Sequence, residues 1–429
     1  MEKIRKKRIW PRVLAIVLAA IVFIVACVAI TFTCVWWDEI STVSSFRHIR
    51  SRNDANKEGS VYSMNVSGGF YFDDFLEGGG ASSDSELIDF ITGNITRGLV
   101  DIEIGETDIG CSSFIARAEN GDILFGRNYD FDKTNVCLTM CDPGEGRYKS
   151  FSTVDLNYVG ITDTDRDVSG LIQQITCLAA PYAPLDGINE KGVSCGIFMS
   201  YQGPGDGAVS TDQQDVAKDN ITSTTMLRMV LDYAATTDEA VKLISGYNLH
   251  DSANTSFHYM IADATGRSAI LEWVPEGVTD SNDTDGSARS LNVIYNDDPM
   301  YAELLEGSEF RFQTITNFII TPGYYDGEDQ PADEKGEGAQ KGLDRYDYIN
   351  GVLGGTGGIV KDEEAAMDIL RAVGRRTWNG GGGVTVHSAV YNLTKKTVLW
   401  VANENFEDPS AIWKYDLASG TLTSLADAE

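Results

Sequence analysis

Charged residues disappear from the chain between positions 13 and 37, VLAIVLAAIVFIVACVAITFTCVWW, and every later apolar stretch is shorter and interrupted. A helix rising about 1.5 Å per residue over this run exceeds a hydrocarbon core of roughly 30 Å, with Trp36 and Trp37 placed as interfacial anchors. Residues 38–82 are polar and read as a stalk or loosely folded lead-in. SDSELIDFITGNITRGL then pairs Ser83 with Glu86 in a capping-box spacing and sets Leu87, Ile88, Ile91 and Ile95 on one helical stripe. From residue 111 the period shortens to that of strands. CSSFIARAENGDILFGRNYDF folds back at Asn120-Gly121, and FHYMIADATGRSAILEW (257–273) and VTVHSAVYNLTKKTVLWVAN (384–403) are further hairpins. TTMLRMVLDYAATTDEAVKLI (224–244) has helical spacing. Hairpins with helices grouped between them predict an α+β layered domain.

Charge gives the apolar run a direction. The first twelve residues hold Lys3, Arg5, Lys6, Lys7, Arg8 and Arg12 against Glu2, while the chain as a whole has a formal charge of -30. A cytoplasmic basic segment (1–12), a transmembrane anchor (13–37) and an extracytoplasmic remainder follow from the positive-inside rule. The apolar run is longer than a secretory signal's core, which favours an uncleaved anchor. So acidic a body repels phosphate backbones and excludes nucleic acid as a partner. With 42% hydrophobic residues the chain can bury a sizeable core. The acid- and glycine-rich stretches 275–290 and 324–342 read as solvated loops. Five of the seven cysteines lie beyond the apolar run, an odd number, and no CxxC pair or histidine cluster accompanies them. No metal or other cofactor is expected.

One of those cysteines, Cys111, follows Gly110 in mid-chain. If Asn120 and Gly121 form a two-residue turn, Cys111 faces Asp130 across the hairpin, at about 4.5 to 5.5 Å between Cα atoms. Arg127 then falls on the other face unless Gly126 marks a bulge. A carboxylate raises a thiol pKa, so Asp130 is a poor partner for a thiolate. It suits an amine. Cleavage between Gly110 and Cys111 gives Cys111 a free α-amino group, whose usual pKa of about 7.7 to 8.0 fits a general base near neutrality. Asp130 would orient that amine and Arg127 would favour the thiolate.

Cys111 with Ser112 and Ser113, followed by GDILFGRNYDF with Gly126, Arg127, Asn128 and Asp130, resembles the start of the mature chain in the choloylglycine hydrolase family. These are N-terminal nucleophile hydrolases of linear amide C–N bonds, and include bile salt hydrolases, penicillin V acylases and the related acid ceramidase. DGINEKGVSCGIF (186–198), HYMIADATGRSAILEW, VIYNDDPMY (293–301), LDRYDYI (343–349) and the closing hairpin are similar in the same order. The resemblance implies a four-layer αββα sandwich over residues 111–429, preceded by the single transmembrane helix and a pro-segment (38–110). It implies Cys111 as nucleophile, Asn296 as the side-chain donor to the oxyanion, and a backbone N–H near Phe198 as the second donor. It makes Arg345 a second active-site arginine, preferred over Arg375 and Arg376. Asn296 departs from the family pattern in following Tyr295 and preceding two aspartates. The implied activity is hydrolysis of a small-molecule N-acyl amide, with the cleaved 1–110 segment able to stay associated. A non-catalytic membrane-anchored binding protein on the same fold, or an acyltransferase, are the alternatives.

Overall fold

The computed structural model describes residues 10–98, 100, 104, 110–201, 217–253, 255–275, 289–325, 339–378 and 384–427. Most of the two acid-rich stretches lies outside them. Two sheets are stacked. One has nine strands, in the order Arg47–Arg50, Val61–Ser67, Val136–Asp142, Ser150–Asp155, Asp186–Asn189, Ser194–Met199, Phe257–Ala262, Ser268–Pro275 and Arg289–Tyr295. The other has eight, running from Gln313–Ile315 through Gly110–Ala118, Ile123–Phe131, Val384–Asn392 and Thr397–Ala402 to Ile412–Asp416 and Thr421–Ser424, with Ile359–Val360 beside Gly110–Ala118.

Side chains from facing strands lock the sheets together. The Trp400 indole donates to Thr153 Oγ1 at 3.2 Å, the Tyr391 hydroxyl donates to Asp186 at 2.5 Å, and Phe151 packs on Tyr391 and Tyr415. Because both faces of each sheet are covered, the strands are buried on both faces, and their polar side chains find partners between the layers. Val384–Asn392, for example, is buried at every position. Ser223–Tyr233 packs outside the nine-stranded sheet, and Leu343–Gly355 and Glu363–Ala372 pack outside the other. The expected αββα layering is therefore present. The helix expected over 224–244 is two helices, because Thr236 caps a new one by accepting from the Glu239 N–H at 3.1 Å.

The lead-in differs from the expected stalk. Trp10–Val35 is one helix, and its stretch Val13–Val35 is long and apolar enough to cross a membrane. Beyond it, Arg47–Arg50 and Val61–Ser67 are strands of the nine-stranded sheet. Val61–Ser67 pairs in parallel with Val136–Asp142 over seven residues. The helix Asp84–Ile91 follows, capped by Ser83; Glu86 reaches back to the N–H and hydroxyl of Ser82 rather than of Ser83. Phe70, Phe72, Phe75 and Phe90 cluster around Tyr182.

Candidate active site

The hairpin that carries Cys111 turns where the sequence predicts, but with three loop residues instead of two. The Ala118 N–H donates to Asp122 O at 2.7 Å, and Gly121 adopts a φ of 92° that suits glycine. The register moves by one residue, so Gly110 pairs with Asp130 and Cys111 with Tyr129. A one-residue slip exchanges the faces of a strand. It brings Arg127 to the face of Cys111 without a bulge, and takes Asp130 to the opposite face. Gly126 serves packing, since a Cβ there would lie 2.7 Å from the Phe114 ring. A Cβ on Gly110 would lie 3.1 Å from Asp130 Cβ and Oδ2, a tight contact that a shift of a few tenths of an ångström in Asp130 would relieve.

On the thiol face, Arg127 is fully buried. Its Nη2 donates to Ile197 O at 2.7 Å and its Nε to Asp186 Oδ2 at 3.3 Å, while its guanidinium lies 4.2 Å over the Phe198 ring. Cys111 Sγ is 3.7 Å from the same Ile197 carbonyl. Asp186 also accepts from His387 Nε2 at 2.8 Å. Burial works to raise the Asp186 carboxyl, but His387 and Arg127 overcome it and hold the pKa down at about 2. Burial pushes the Cys111 thiol up to about 11, against the pull of Arg127. In this structure the Cys111 thiol is neutral and buried.

On the opposite face the contacts converge on the main chain of Cys111. Its N–H donates to Asn317 Oδ1 at 2.9 Å. Arg345 Nη1 donates to Cys111 O at 2.7 Å, Ser112 Oγ at 2.6 Å and Asp130 Oδ2 at 3.1 Å, and its Nη2 donates to Asn317 Oδ1 at 3.0 Å. Thr385 Oγ1 donates to Asp130 Oδ1 at 2.6 Å. The first turn of Leu343–Gly355 projects Arg345 inward, and a register irregularity between Thr385 and His387 accompanies Thr385 opposite Asp130. Among the described residues no group of three or more His, Cys, Asp or Glu is arranged to hold a metal.

Of the residues read from the sequence, Cys111, Arg127, Asp130 and Arg345 meet here. Asn296 does not. It ends the outermost strand of the nine-stranded sheet, where Nδ2 donates to Gly266 O at 2.9 Å and Arg311 O at 2.7 Å, and Oδ1 accepts from Ser268 N–H. Its amide is consumed in tying that strand end together. The asparagine at the site is Asn317, whose Nδ2 donates to Met199 O at 3.2 Å. An asparagine inside the apolar, β-branched run TITNFII needs a buried partner, and that was the available signal. Phe198 is at the site through its ring. Ile197 N–H donates to Leu185 O and Ser200 N–H to Ser256 O, so alternation turns the Phe198 backbone toward the strand Phe257–Ala262. The main chain that borders Cys111 Sγ is that of Ile197, while Met199 O meets Asn317.

Residues 111–283 match the family model described as linear amide C–N hydrolases, choloylglycine hydrolase family. The resemblance read from FGRNYD thus holds. No curated protein matches the chain in sequence. Among solved structures it is similar to a variant of conjugated bile acid hydrolase from Clostridium perfringens, at 18% identity and a TM-score of 0.43, covering 73% of this chain and 96% of that one. It is also similar to penicillin V acylase from Agrobacterium tumefaciens, at 15% identity, TM-score 0.38, and 71% and 91% coverage. An N-acylethanolamine-hydrolyzing acid amidase ortholog from Caenorhabditis elegans gives 18% identity, TM-score 0.38, and 66% and 93% coverage.

Proposed function

We propose that this chain, whose residues 111–283 match the choloylglycine hydrolase family, is the membrane-anchored precursor of an amidase whose N-terminal nucleophile is freed by cleavage between Gly110 and Cys111. One observation carries the reading. The polar groups of the site are gathered on the main-chain nitrogen and carbonyl of Cys111 and not on its thiol alone, which is an arrangement for holding a chain end. Once the peptide is cut, that nitrogen becomes an amine held by Asn317 Oδ1, with Asp130 beside it.

The α-amine takes the thiol proton as Sγ attacks the carbonyl carbon of an N-acyl amide, and Arg127 favours the thiolate. Asn317 Nδ2 donates to the oxyanion, the role expected of Asn296. The amine then passes its proton to the leaving nitrogen, and water releases the acyl group from Cys111. The substrate is a small-molecule N-acyl amide.

The basic segment 1–12 is cytoplasmic, residues 13–37 span the membrane and the catalytic part lies outside. The 1–110 segment stays bound after cleavage. Val61, Tyr62 and Met64 are fully buried in the sheet, and three such side chains contribute on the order of 5 kcal/mol.

Intact mass and N-terminal sequencing of wild type and Cys111→Ala, followed by labelling with an amide-mimicking thiol electrophile, test the proposal. Wild type should yield a chain beginning at Cys111 that takes the label there, and Cys111→Ala should remain whole. An active protein still beginning at residue 1 would overturn the mechanism. An uncut, unreactive wild type would favour a binding protein on the same fold.

A further inference from the structure

We propose that Glu404 is a positioning residue for the chain end at Cys111, acting through Thr385 and Asp130, and that Arg376 couples it to Glu58 of the 1–110 segment, making that segment a functional part of the cleaved enzyme. This rests on the function proposed above.

A continuous line of contacts joins the two. Glu404 is nearly buried, with a side chain 3% exposed. Its carboxylate accepts from Thr385 N–H at 3.1 Å and from Arg376 N–H at 3.0 Å. Thr385 Oγ1 accepts from Arg375 N–H at 2.9 Å and donates to Asp130 Oδ1 at 2.6 Å. On the other side, the Arg376 side chain donates to Asn403 O at 2.8 Å, to Asn56 O at 3.0 Å and to Glu58 Oε1 at 3.0 Å. Glu58 is itself buried, and among the described residues its only other ion-pair partner is Arg50, at 3.9 Å. Arg376, set aside as an active-site arginine, is thus a bridge between the lead-in and Glu404.

Two features argue that this is more than packing. A carboxylate is buried with only a backbone pair and one distant guanidinium contact, Arg376 Nε at 3.9 Å, to offset it. Asn403 and Glu404 both hold left-handed backbone, with φ of 51° and 55°, a costly conformation for consecutive non-glycine residues. The strain aims Glu404 toward Thr385. Burial raises the Glu404 carboxyl to about 7, and the Asp130 charge acts in the same direction. The charged groups facing Glu404 are Asp130 and Arg376, and those facing Arg376 are Glu404 and Glu58.

An anion near the site stabilises the ammonium and disfavours the thiolate of Cys111. Removing the Glu404 charge should therefore ease thiolate formation. The test follows alkylation of Cys111 by iodoacetamide against pH in the cleaved full-length protein, read by mass spectrometry of the Cys111 peptide. Glu404→Gln should move the midpoint about half a unit to lower pH, and Glu404→Asp should restore it. Glu58→Gln, which leaves Arg376 free to neutralise Glu404, should move it the same way by less. The double variant should shift no further than Glu404→Gln. Unchanged midpoints, or shifts that add, overturn the relay. If Glu404→Gln is not cleaved, Glu58→Gln decides alone, because it lies outside the catalytic part: a downward shift supports the coupling and an unmoved midpoint refutes it. An uncleaved wild type is a failure of the functional reading and not of the relay.

Discussion

The two faces of the strand Gly110–Ala118 solve different problems with similar residues. Toward the facing sheet, Arg127 pairs with Asp186, which has two other donors, His387 and Tyr391. Toward the helical layer, Arg345 pairs with Asp130, whose only other side-chain donor among the described residues is Thr385. The first pair is redundant around its carboxylate, and the second is not. The first lies against a thiol, and the second holds the main chain of Cys111, the chain end of the proposed cleavage.

The largest effect should therefore come from Arg345→Met. It leaves the buried Asp130 charge unpaired and frees Cys111 O and Ser112 Oγ, so a loss of roughly 3 to 5 kcal/mol of stability is expected, with loss of activity. Urea unfolding measures the first and N-terminal sequencing reports whether cleavage survives. Arg127→Leu should be milder on folding because Asp186 keeps His387 and Tyr391. Its signature is slower alkylation of Cys111 at neutral pH, by about tenfold or more, since the thiol loses the cation that opposes its burial. Equal destabilisation by both variants would erase the distinction between the faces.

A second contrast separates the two asparagines. Asn317→Ala should lower kcat by about 10²- to 10³-fold with little change in KM if its Nδ2 serves the oxyanion. Asn296→Ala removes three hydrogen bonds at a strand end, and should cost about 1 to 3 kcal/mol while the folded protein keeps its kcat. Steady-state kinetics paired with thermal melts distinguishes them. The reverse pattern would return the oxyanion role to Asn296.

These residues also mark where the sequence was legible. Asn120-Gly121 announces the hairpin because turn chemistry is local. The register is not local: a two-residue and a three-residue loop fit the same letters, and the choice between Asp130 and Tyr129 opposite Cys111 depends on the Ala118–Asp122 closure. Arg345 was found because LDRYDYI keeps a recognisable order relative to Cys111. Asn317 was missed because its role depends on the short strand Gln313–Ile315 pairing with Ile115–Ser113, two hundred residues away. The lead-in strand Val61–Ser67 was hidden for the same reason, since its partner Val136–Asp142 lies some seventy residues further along the chain. What is read from neighbours in sequence survives, and what needs a distant strand does not.

A last contrast is between two buried carboxylates on the thiol side, Asp186 beside Arg127 and Asp155 beside Tyr129. Asp186 is held at about 2, below its ordinary value of 3.8, so its contribution is present above pH 4 and is lost as pH falls from about 4 through 2. Asp155, which accepts from the Tyr129 hydroxyl at 2.8 Å, behaves oppositely. Burial raises it from 3.8 to about 6, so the folded state binds the proton more tightly than the unfolded chain between those values. Its effect is to make the protein more stable as pH falls from 7 toward 4. The sum places a stability maximum near pH 4, on the order of 2 kcal/mol above the value at pH 7 if these two groups dominate. Asp155→Asn should flatten the rise between pH 7 and 4 and leave the acid limb of Asp186 in place. Urea midpoints at pH 3, 4, 5.5 and 7 measure both, and a wild-type midpoint that falls steadily from pH 7 to 4 would show that Asp155 is charged without cost in the folded protein.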